Sequence, residues 1–402
     1  MDKHAKGTTR RDMLLSSAGA VAAVALTTPV AHAEPVRSLA PQQPAPSTLA
    51  SLDDFEKAAR GTMTSMAYEY VSGGAGDETT LGWNDSAYNE IKLRNRVLVD
   101  VSRIDTSIKL LGQDLAHPIL LAPTAYHKLV HADGEVATVR GAGAAKAAMI
   151  VSSFATTTIE EIARAATSPL WFQLYVQPDR EFTRALVHRV EAAGCRAICL
   201  TVDTPVLGAR NRETRIGFRL PAGVTRANLE GLGATTASAT HRPPEGQIYS
   251  AVLEPRLTWK DVEWLRSFAK VPVLLKGILD ADDAKRAVDA GANGVIVSNH
   301  CARNLDTVPA TITALPRIAE AVNGRIPIII DGGIRRGTDV LKAIAFGASA
   351  VAIGRPYLYG LAAEGSAGVA RVIEILRTEF EMAMALTGKT TIKSIDRTVL
   401  WS

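Results

Sequence analysis

The sequence predicts an α/β fold: a (β/α)8 barrel of parallel strands with an N-terminal helical extension and a long loop after the fourth strand. Three observations predict it. Eight short apolar or β-branched runs alternate with helical stretches, the pattern of repeated βαβ units, and eight such units close a barrel. Polar residues follow directly on several runs, as expected where strands buried on both faces deliver side chains at their carboxyl ends. Glycine-rich turns with arginines follow the seventh and eighth runs, where this architecture holds phosphate.

The chain has 402 residues, 47% hydrophobic and 21% charged, which is ordinary for a globular enzyme and excludes global disorder. Its first 33 residues read differently. Thr9-Arg10-Arg11-Asp12-Met13-Leu14-Leu15 is a twin-arginine pattern, and a mildly apolar stretch after it ends at Ala31-His32-Ala33. This predicts a cleavable Tat signal and an exported protein, periplasmic or extracellular. Ser, Thr and Pro interrupt the stretch, so no stable membrane span is expected in the mature chain. Tat export carries folded proteins.

Lys3, Lys6, Arg10 and Arg11 against Asp2 and Asp12 give this leader +2 of the total +4. The remainder is nearly neutral, and nothing in it suggests nucleic-acid binding. Cys195, Cys199 and Cys301 are an odd number and make no disulfide framework. Cys195 and Cys199 read as small buried hydrophobes. No metal site is expected.

Residues 34–50, rich in Pro, Gln, Ala and Ser, read as a flexible tether. The barrel domain spans 51–402. Leu52, Phe55, Ala58 and Ala59 share one helical face, and a second helical stretch, from Met66 to Val71, runs to the turn Ser72–Gly76. The eight predicted strands are 119–122, 149–152, 171–174, 197–202, 273–276, 294–297, 326–330 and 350–353. Helices are expected over 281–290 and 338–345, ending at Gly291 and Gly347. Roughly 70 residues separate Asp203 from Pro272, far beyond an ordinary βα connection. Its middle, Gly231–Thr240, is low in hydrophobicity; a long loop at the catalytic face reads as a lid.

The sixth strand breaks into Ser298-Asn299-His300-Cys301-Ala302-Arg303. An imidazole and a guanidinium three residues apart can serve one small substrate, one taking a proton and the other gripping a carboxylate. Asp203, ending the fourth strand, would pair with the imidazole and favour its protonated form. Asp331-Gly332-Gly333-Ile334-Arg335 and Gly354-Arg355 offer backbone amides and cations to a phosphate. Alone, that motif admits sugar phosphates and nucleotides, and it also resembles barrels such as inosine monophosphate dehydrogenase.

From about Ser51 onward the chain resembles the FMN-dependent α-hydroxy-acid oxidase and dehydrogenase family. The residues that carry the resemblance are Ala122-Pro123-Thr124-Ala125, Phe172-Gln173-Leu174-Tyr175, Leu200-Thr201-Val202-Asp203-Thr204-Pro205, Leu275-Lys276-Gly277, Ser298-Asn299-His300, Arg303, Asp331–Gly337 and Ile353-Gly354-Arg355-Pro356. It implies FMN, with Pro123, Thr124, Ala125, Ser152, Gln173, Thr201, Lys276 and Ser298 around the ring system, and Asp331, Gly332, Gly333, Arg335, Gly354 and Arg355 toward the phosphate. Lys276 would stabilise negative charge on the reduced ring. His300 becomes the base, Arg210 and Arg303 the carboxylate grip, and Tyr70 and Tyr175 hydrogen-bonding partners of the substrate.

Phe154 and Tyr126 would set which side chain a 2-hydroxy acid carries. Oxygen or another acceptor would take the electrons, and a homotetramer is implied. The family usually has Gly where this chain has Cys301, and Gln where it has Asn304. Glycine there marks positive φ or a close approach, so a side chain would be strained by on the order of 1 kcal/mol or intrude on the site. These departures leave open different flavin-barrel chemistry, or a flavin-binding protein without turnover.

Overall fold

The computed structural model describes residues 48–231, 248–250 and 252–401. The predicted leader, residues 34–47 of the tether and positions 232–240 of the low-hydrophobicity stretch lie outside them.

Three helices come first: α1 (Leu52–Thr62), α2 (Ser65–Ser72) and α3 (Thr79–Glu90). The first begins where it does because Ser51 and Asp54 cap each other's backbone amides, and it buries Leu52, Phe55 and Ala59. An antiparallel hairpin follows, β1 (Ile108–Leu110) and β2 (Gln113–Leu115), which the sequence pattern did not reveal. Next come β3 (Ile119–Leu121), α4 (Gly134–Ala144), β4 (Met149–Ser152), α5 (Ile159–Ala165), β5 (Leu170–Leu174), α6 (Arg180–Ala192) and β6 (Ile198–Thr201). Helices α7 (Asn211–Arg215) and α8 (Trp259–Arg266) lie between β6 and β7 (Val273–Ile278). The rest is α9 (Ala281–Asp289), β8 (Gly294–Val297), α10 (Thr311–Val322), β9 (Ile328–Asp331), α11 (Gly337–Ala345), β10 (Ala350–Ile353) and α12 (Arg355–Leu386).

Strands β3 to β10 form a closed parallel barrel, with β10 returning to pair with β3. The eight predicted strands are these eight, shifted at their ends by up to two residues. The long connection expected after the fourth strand is present, but its described residues are not all irregular. Its last part is α8, which buries Val262 and Leu265 as an ordinary barrel helix does, so the irregular connection ends near Thr258.

The apolar residues separate into two layers by strand alternation. Leu120, Ile150, Trp171, Cys199, Leu274, Ile296 and Ile329 fill the barrel, while Leu121, Val151, Phe172, Leu200, Leu275 and Val297 face the helices. The hairpin supplies Leu110 and Leu115 to the inner layer, and Gln113 accepts a hydrogen bond from the Trp171 indole at 3.1 Å. It therefore plugs the end of the barrel opposite the carboxyl ends of the strands. Cys195 and Cys199 are buried and free, as the sequence implied. Among the described residues no helix is long and apolar enough to cross a membrane.

Candidate active site

The carboxyl ends of the strands present one connected row of polar side chains. Ser152 on β4 donates to the Gln173 carbonyl on β5 at 3.2 Å, and the Gln173 amide donates to Thr201 Oγ1 on β6 at 2.9 Å. On β7, Lys276 is 4% exposed; its ammonium lies 2.9 Å from Ser298 Oγ and 3.0 Å from Asp331 Oδ2. Burial pulls its pKa down, but the carboxylates of Asp331 and Asp203 outweigh that and the net shift is upward, so the cation persists. The carboxylate of Asp331, expected beside the cofactor phosphate, is thus directed at Lys276. Thr124 is held by His127 Nε2 at 2.6 Å and by the Tyr357 hydroxyl.

Beyond Lys276 the strand bulges at Gly277, whose φ is +106°. A Cβ there would come within 2.4 Å of the Asp203 side chain. The bulge is what admits Asp203, and glycine is what permits the bulge.

Asp203 Oδ1 lies 2.8 Å from His300 Nδ1, and Thr204 Oγ1 lies 3.2 Å from the same nitrogen. The tautomer follows: Nδ1 carries the proton, and Nε2 presents its lone pair 3.3 Å from the Tyr175 hydroxyl. Burial pushes the Tyr175 phenol upward, so it stays protonated. For His300, burial lowers the pKa below the ordinary 6.5, and Asp203 only partly restores it. Asp203 favours the protonated ring, as expected, but burial opposes it and prevails, so the imidazole is left neutral and ready to accept a proton.

This has a pH consequence. The group is depressed, so the basic form is lost only as pH falls through a value under 6.5. Asp203→Asn removes the charge that opposes burial and should move the acid limb of flavin reduction to still lower pH. It should also slow reduction by roughly 10²-fold or more, as the tautomer is no longer enforced. An acid limb unmoved or shifted upward would contradict this electrostatic account.

The turn that carries His300 is left-handed at three consecutive residues: His300 (φ 56°), Cys301 (51°) and Ala302 (62°). Such strain persists only where surroundings enforce it. Here the N-terminal helices and α12 do so. Ala75 N–H donates to Ala302 O at 2.7 Å, Arg355 donates twice to Cys301 O at 3.1 Å, and the Asn84 and Asn299 amides pair at 3.0 and 2.8 Å.

The positive φ that glycine would have marked at position 301 is present, occupied by a cysteine. Its Sγ sits 4.0 Å from Asp331 Oδ1 and lines the cavity. Burial, then Asp331, pushes the thiol up to about 11, which leaves it protonated and poorly nucleophilic. Cys301→Gly relieves a left-handed residue, so we expect about 1 kcal/mol of added stability, read as a higher denaturation midpoint of the FMN-loaded protein. A lower midpoint would mean that the thiol contacts outweigh the strain. Asn304, the second departure, donates to Asp203 O at 2.8 Å and Thr204 Oγ1 at 2.7 Å, bracing the base from behind.

Arg303 and Arg210 both line the cavity, and both meet a carboxylate that sequence reasoning missed. Glu213 Oε1 is 2.8 Å from Arg303 Nη2 and 3.4 Å from Arg210 Nη1. Two cations share one internal acid, which leaves one positive charge for a substrate carboxylate. Arg303 also donates to the carbonyls of Tyr70 and Gly73 at 2.7 and 2.9 Å. Tyr70 faces the cavity and stacks on Phe218 at 4.5 Å; its neighbour Tyr68 turns away, toward Tyr359. Phe154 packs between Tyr126 and Tyr175, with ring centroids 6.2 and 5.0 Å away. Leu207, Glu213, Phe218, Arg226 and Leu253 come from the long connection, whose aperiodic sequence offered no signal beyond its position at the catalytic face.

At the other end, Gly332, Gly333, Ile334, Arg335, Gly354 and Arg355 line an adjoining cleft. Among the described residues the Arg335 guanidinium is held loosely, by Asp85 at 4.0 Å and Ile334 O at 3.5 Å, and can turn to an anion. Arg355 is differently engaged, donating to the carbonyls of Val71, Gly73 and Cys301. These residues fit FMN: a permanent buried cation and a row of amides and hydroxyls for a polar ring, then glycine amides and arginine for a phosphate.

A barrel with a buried lysine, a neutral histidine bonded to an ionised aspartate and two arginines sharing one acid at its catalytic face defines a flavin-dependent oxidoreductase for a small carboxylic acid. The chain belongs to the FMN-dependent α-hydroxy-acid oxidase family: the model described as FMN-dependent dehydrogenase matches residues 59–402. It is 47% identical to glycolate oxidase 3 of Arabidopsis thaliana over 345 residues, 86% of this chain and 94% of that protein. An L-lactate oxidase of Nostoc sp. is 47% identical over 357 residues, 87% and 97% of the two chains. A crystal structure of mandelate oxidase with benzoyl-formic acid superposes with a TM-score of 0.80 at 40% identity, covering 88% of this chain and 98% of that one.

Proposed function

We propose that the enzyme oxidises an (S)-2-hydroxy acid to the 2-oxo acid and passes the electrons to oxygen or another acceptor. The observation that carries this reading is His300 Nε2, its proton-free face held beside the Tyr175 hydroxyl in a cavity that also holds Arg210 and Arg303. FMN, when bound, supplies the two-electron acceptor. The arginines take the carboxylate, Tyr175 donates to substrate oxygen, and His300 removes the proton as the α-carbon is oxidised, Asp203 stabilising the imidazolium that forms. Lys276, permanently charged, supplies fixed positive potential at the floor.

Anaerobic mixing of the FMN-loaded enzyme with a panel of 2-hydroxy acids tests this: bleaching of the flavin absorbance by the (S) acids supports it, and no bleaching by any of them defeats it. Reoxidation by oxygen or by an artificial acceptor then identifies the electron sink. The same proposal includes Tat export, resting on Arg10-Arg11 and the Ala31-His32-Ala33 ending, to be read by fractionation of an Arg10→Lys, Arg11→Lys variant. It also includes a homotetramer, to be read by sedimentation.

A further inference from the structure

The wall of the cavity contributed by the long connection carries a cation that the oxidation does not use. Arg226 lines the same cavity as His300, its guanidinium carbon 4.9 Å from the centre of the Phe154 ring and 5.9 Å from that of Tyr126. Its Nε donates to the Tyr126 hydroxyl at 2.7 Å. Its two terminal nitrogens have no acceptor among the described residues, and no carboxylate pairs with it. Of the other cations lining this cavity, Lys276 is paired with Asp331, Arg210 and Arg303 share Glu213 and keep one charge for the substrate's own carboxylate, and Arg355 is taken up by the carbonyls of Val71, Gly73 and Cys301.

The placement of Arg226 is enforced from two sides. Ala227 N–H donates to Ala155 O at 3.0 Å, and fully buried Asn228 accepts from Ile159 N–H at 2.8 Å, so this turn is fixed to the segment that follows β4. Tyr126 is buried in a left-handed conformation (φ 59°, ψ 54°), a strained choice for an aromatic residue. That backbone and its bond to Phe154 O at 3.2 Å hold the hydroxyl against Arg226.

A 2-hydroxy acid whose own carboxylate sits on Arg303 and Arg210 and whose α-carbon faces His300 has its side chain left to lie along Tyr126 and Phe154. At the end of that path is a planar donor whose two terminal NH2 groups form one free edge, the match for a second carboxylate. We propose that Arg226 is a specificity residue and that the substrate class is a 2-hydroxy dicarboxylic acid, the distal carboxylate binding Arg226. This rests on the oxidase reading above and deepens it.

The test compares acids of equal carbon number, 2-hydroxyglutarate against 2-hydroxypentanoate, with mandelate as an aromatic control. Anaerobic flavin reduction is followed in the FMN-loaded parent and in Arg226→Met and Arg226→Lys. The parent should favour the dicarboxylic acid by about 10-fold or more in kcat/KM. Arg226→Met should lose about 10- to 100-fold more on that acid than on its monocarboxylic partner, the size of one charge-assisted contact. The loss should fall on KM rather than on the limiting reduction rate, because the contact is made equally in ground and transition states. Arg226→Lys should recover part of it.

Binding of 2-oxoglutarate against 2-oxopentanoate, read from the perturbed flavin spectrum without turnover, should show the same discrimination in the parent and lose it in Arg226→Met. Equal effects on both members of a pair, or a loss greatest for mandelate, would overturn the assignment. Bleaching by monocarboxylic acids with no contribution from Arg226 overturns this inference alone. Bound flavin that no acid bleaches overturns the oxidase reading and this inference with it.

Discussion

Replacing His300 by alanine should slow flavin reduction by about 10³-fold or more, within the range a positioned general base supplies, while FMN stays bound and the 2-oxo product still perturbs its spectrum. The carboxylate contacts of Arg303 and Arg210 do not pass through the imidazole, so affinity for the ground state should change little. A second effect comes from Asp203, which is held below the usual carboxylate range mainly by His300 against the opposing effect of burial. Without the ring only the Thr204 hydroxyl donates to its Oδ1. A weakened hydrogen-bond set around a buried acid costs roughly 1–3 kcal/mol, so the variant should also melt earlier. Reduction at the parental rate would remove His300 from the mechanism.

Lys276→Met should be the most damaging single change. It removes a 4%-exposed cation and strands the Asp331 carboxylate 3.0 Å from where the ammonium was. Breaking one side of a buried pair costs about 3–5 kcal/mol. The structural role of Lys276 can be separated from its chemical one with the double variant Lys276→Met, Asp331→Asn, in which neither partner is charged. Stability should return in large part. Flavin reduction should not, because the fixed positive potential at the floor remains absent. If reduction recovered together with stability, Lys276 would be a barrel ion pair and nothing more.

The barrel was legible because its strands are short, apolar and evenly spaced, and because parallel strands buried on both faces have no polar alternation to confuse them. Glycine at 291 and 347 marked helix ends for a local reason, and both have positive φ. The hairpin β1–β2 was not legible: three-residue strands carry too few positions to show a period, and the barrel residues they pack on lie far away in sequence, as with Gln113 and Trp171.

The site divides in the same way. Residues at strand ends could be read because the strand dictates their direction, as with Lys276 and Gln173. Glu213 and Arg226 could not, since an irregular connection imposes no periodicity and their partners are set by tertiary contacts alone. Cys301 is the instructive case between these. Its departure from glycine pointed to a positive φ that the backbone has, while the direction of the thiol, toward Asp331, required coordinates.

The left-handed turn at His300 has a consequence for the order in which the molecule comes into being. It is clasped by Tyr70–Asn84 on one side and by Arg355 on the other, segments separated by most of the chain. At roughly 5–20 residues per second, a ribosome makes Arg355 roughly 15–60 s after Tyr70. Until then the base cannot hold its conformation, and the phosphate cleft lacks its last wall. A chain that stops before Arg355 should therefore hold neither the strained turn nor FMN, so bound flavin should report that synthesis has passed Arg355.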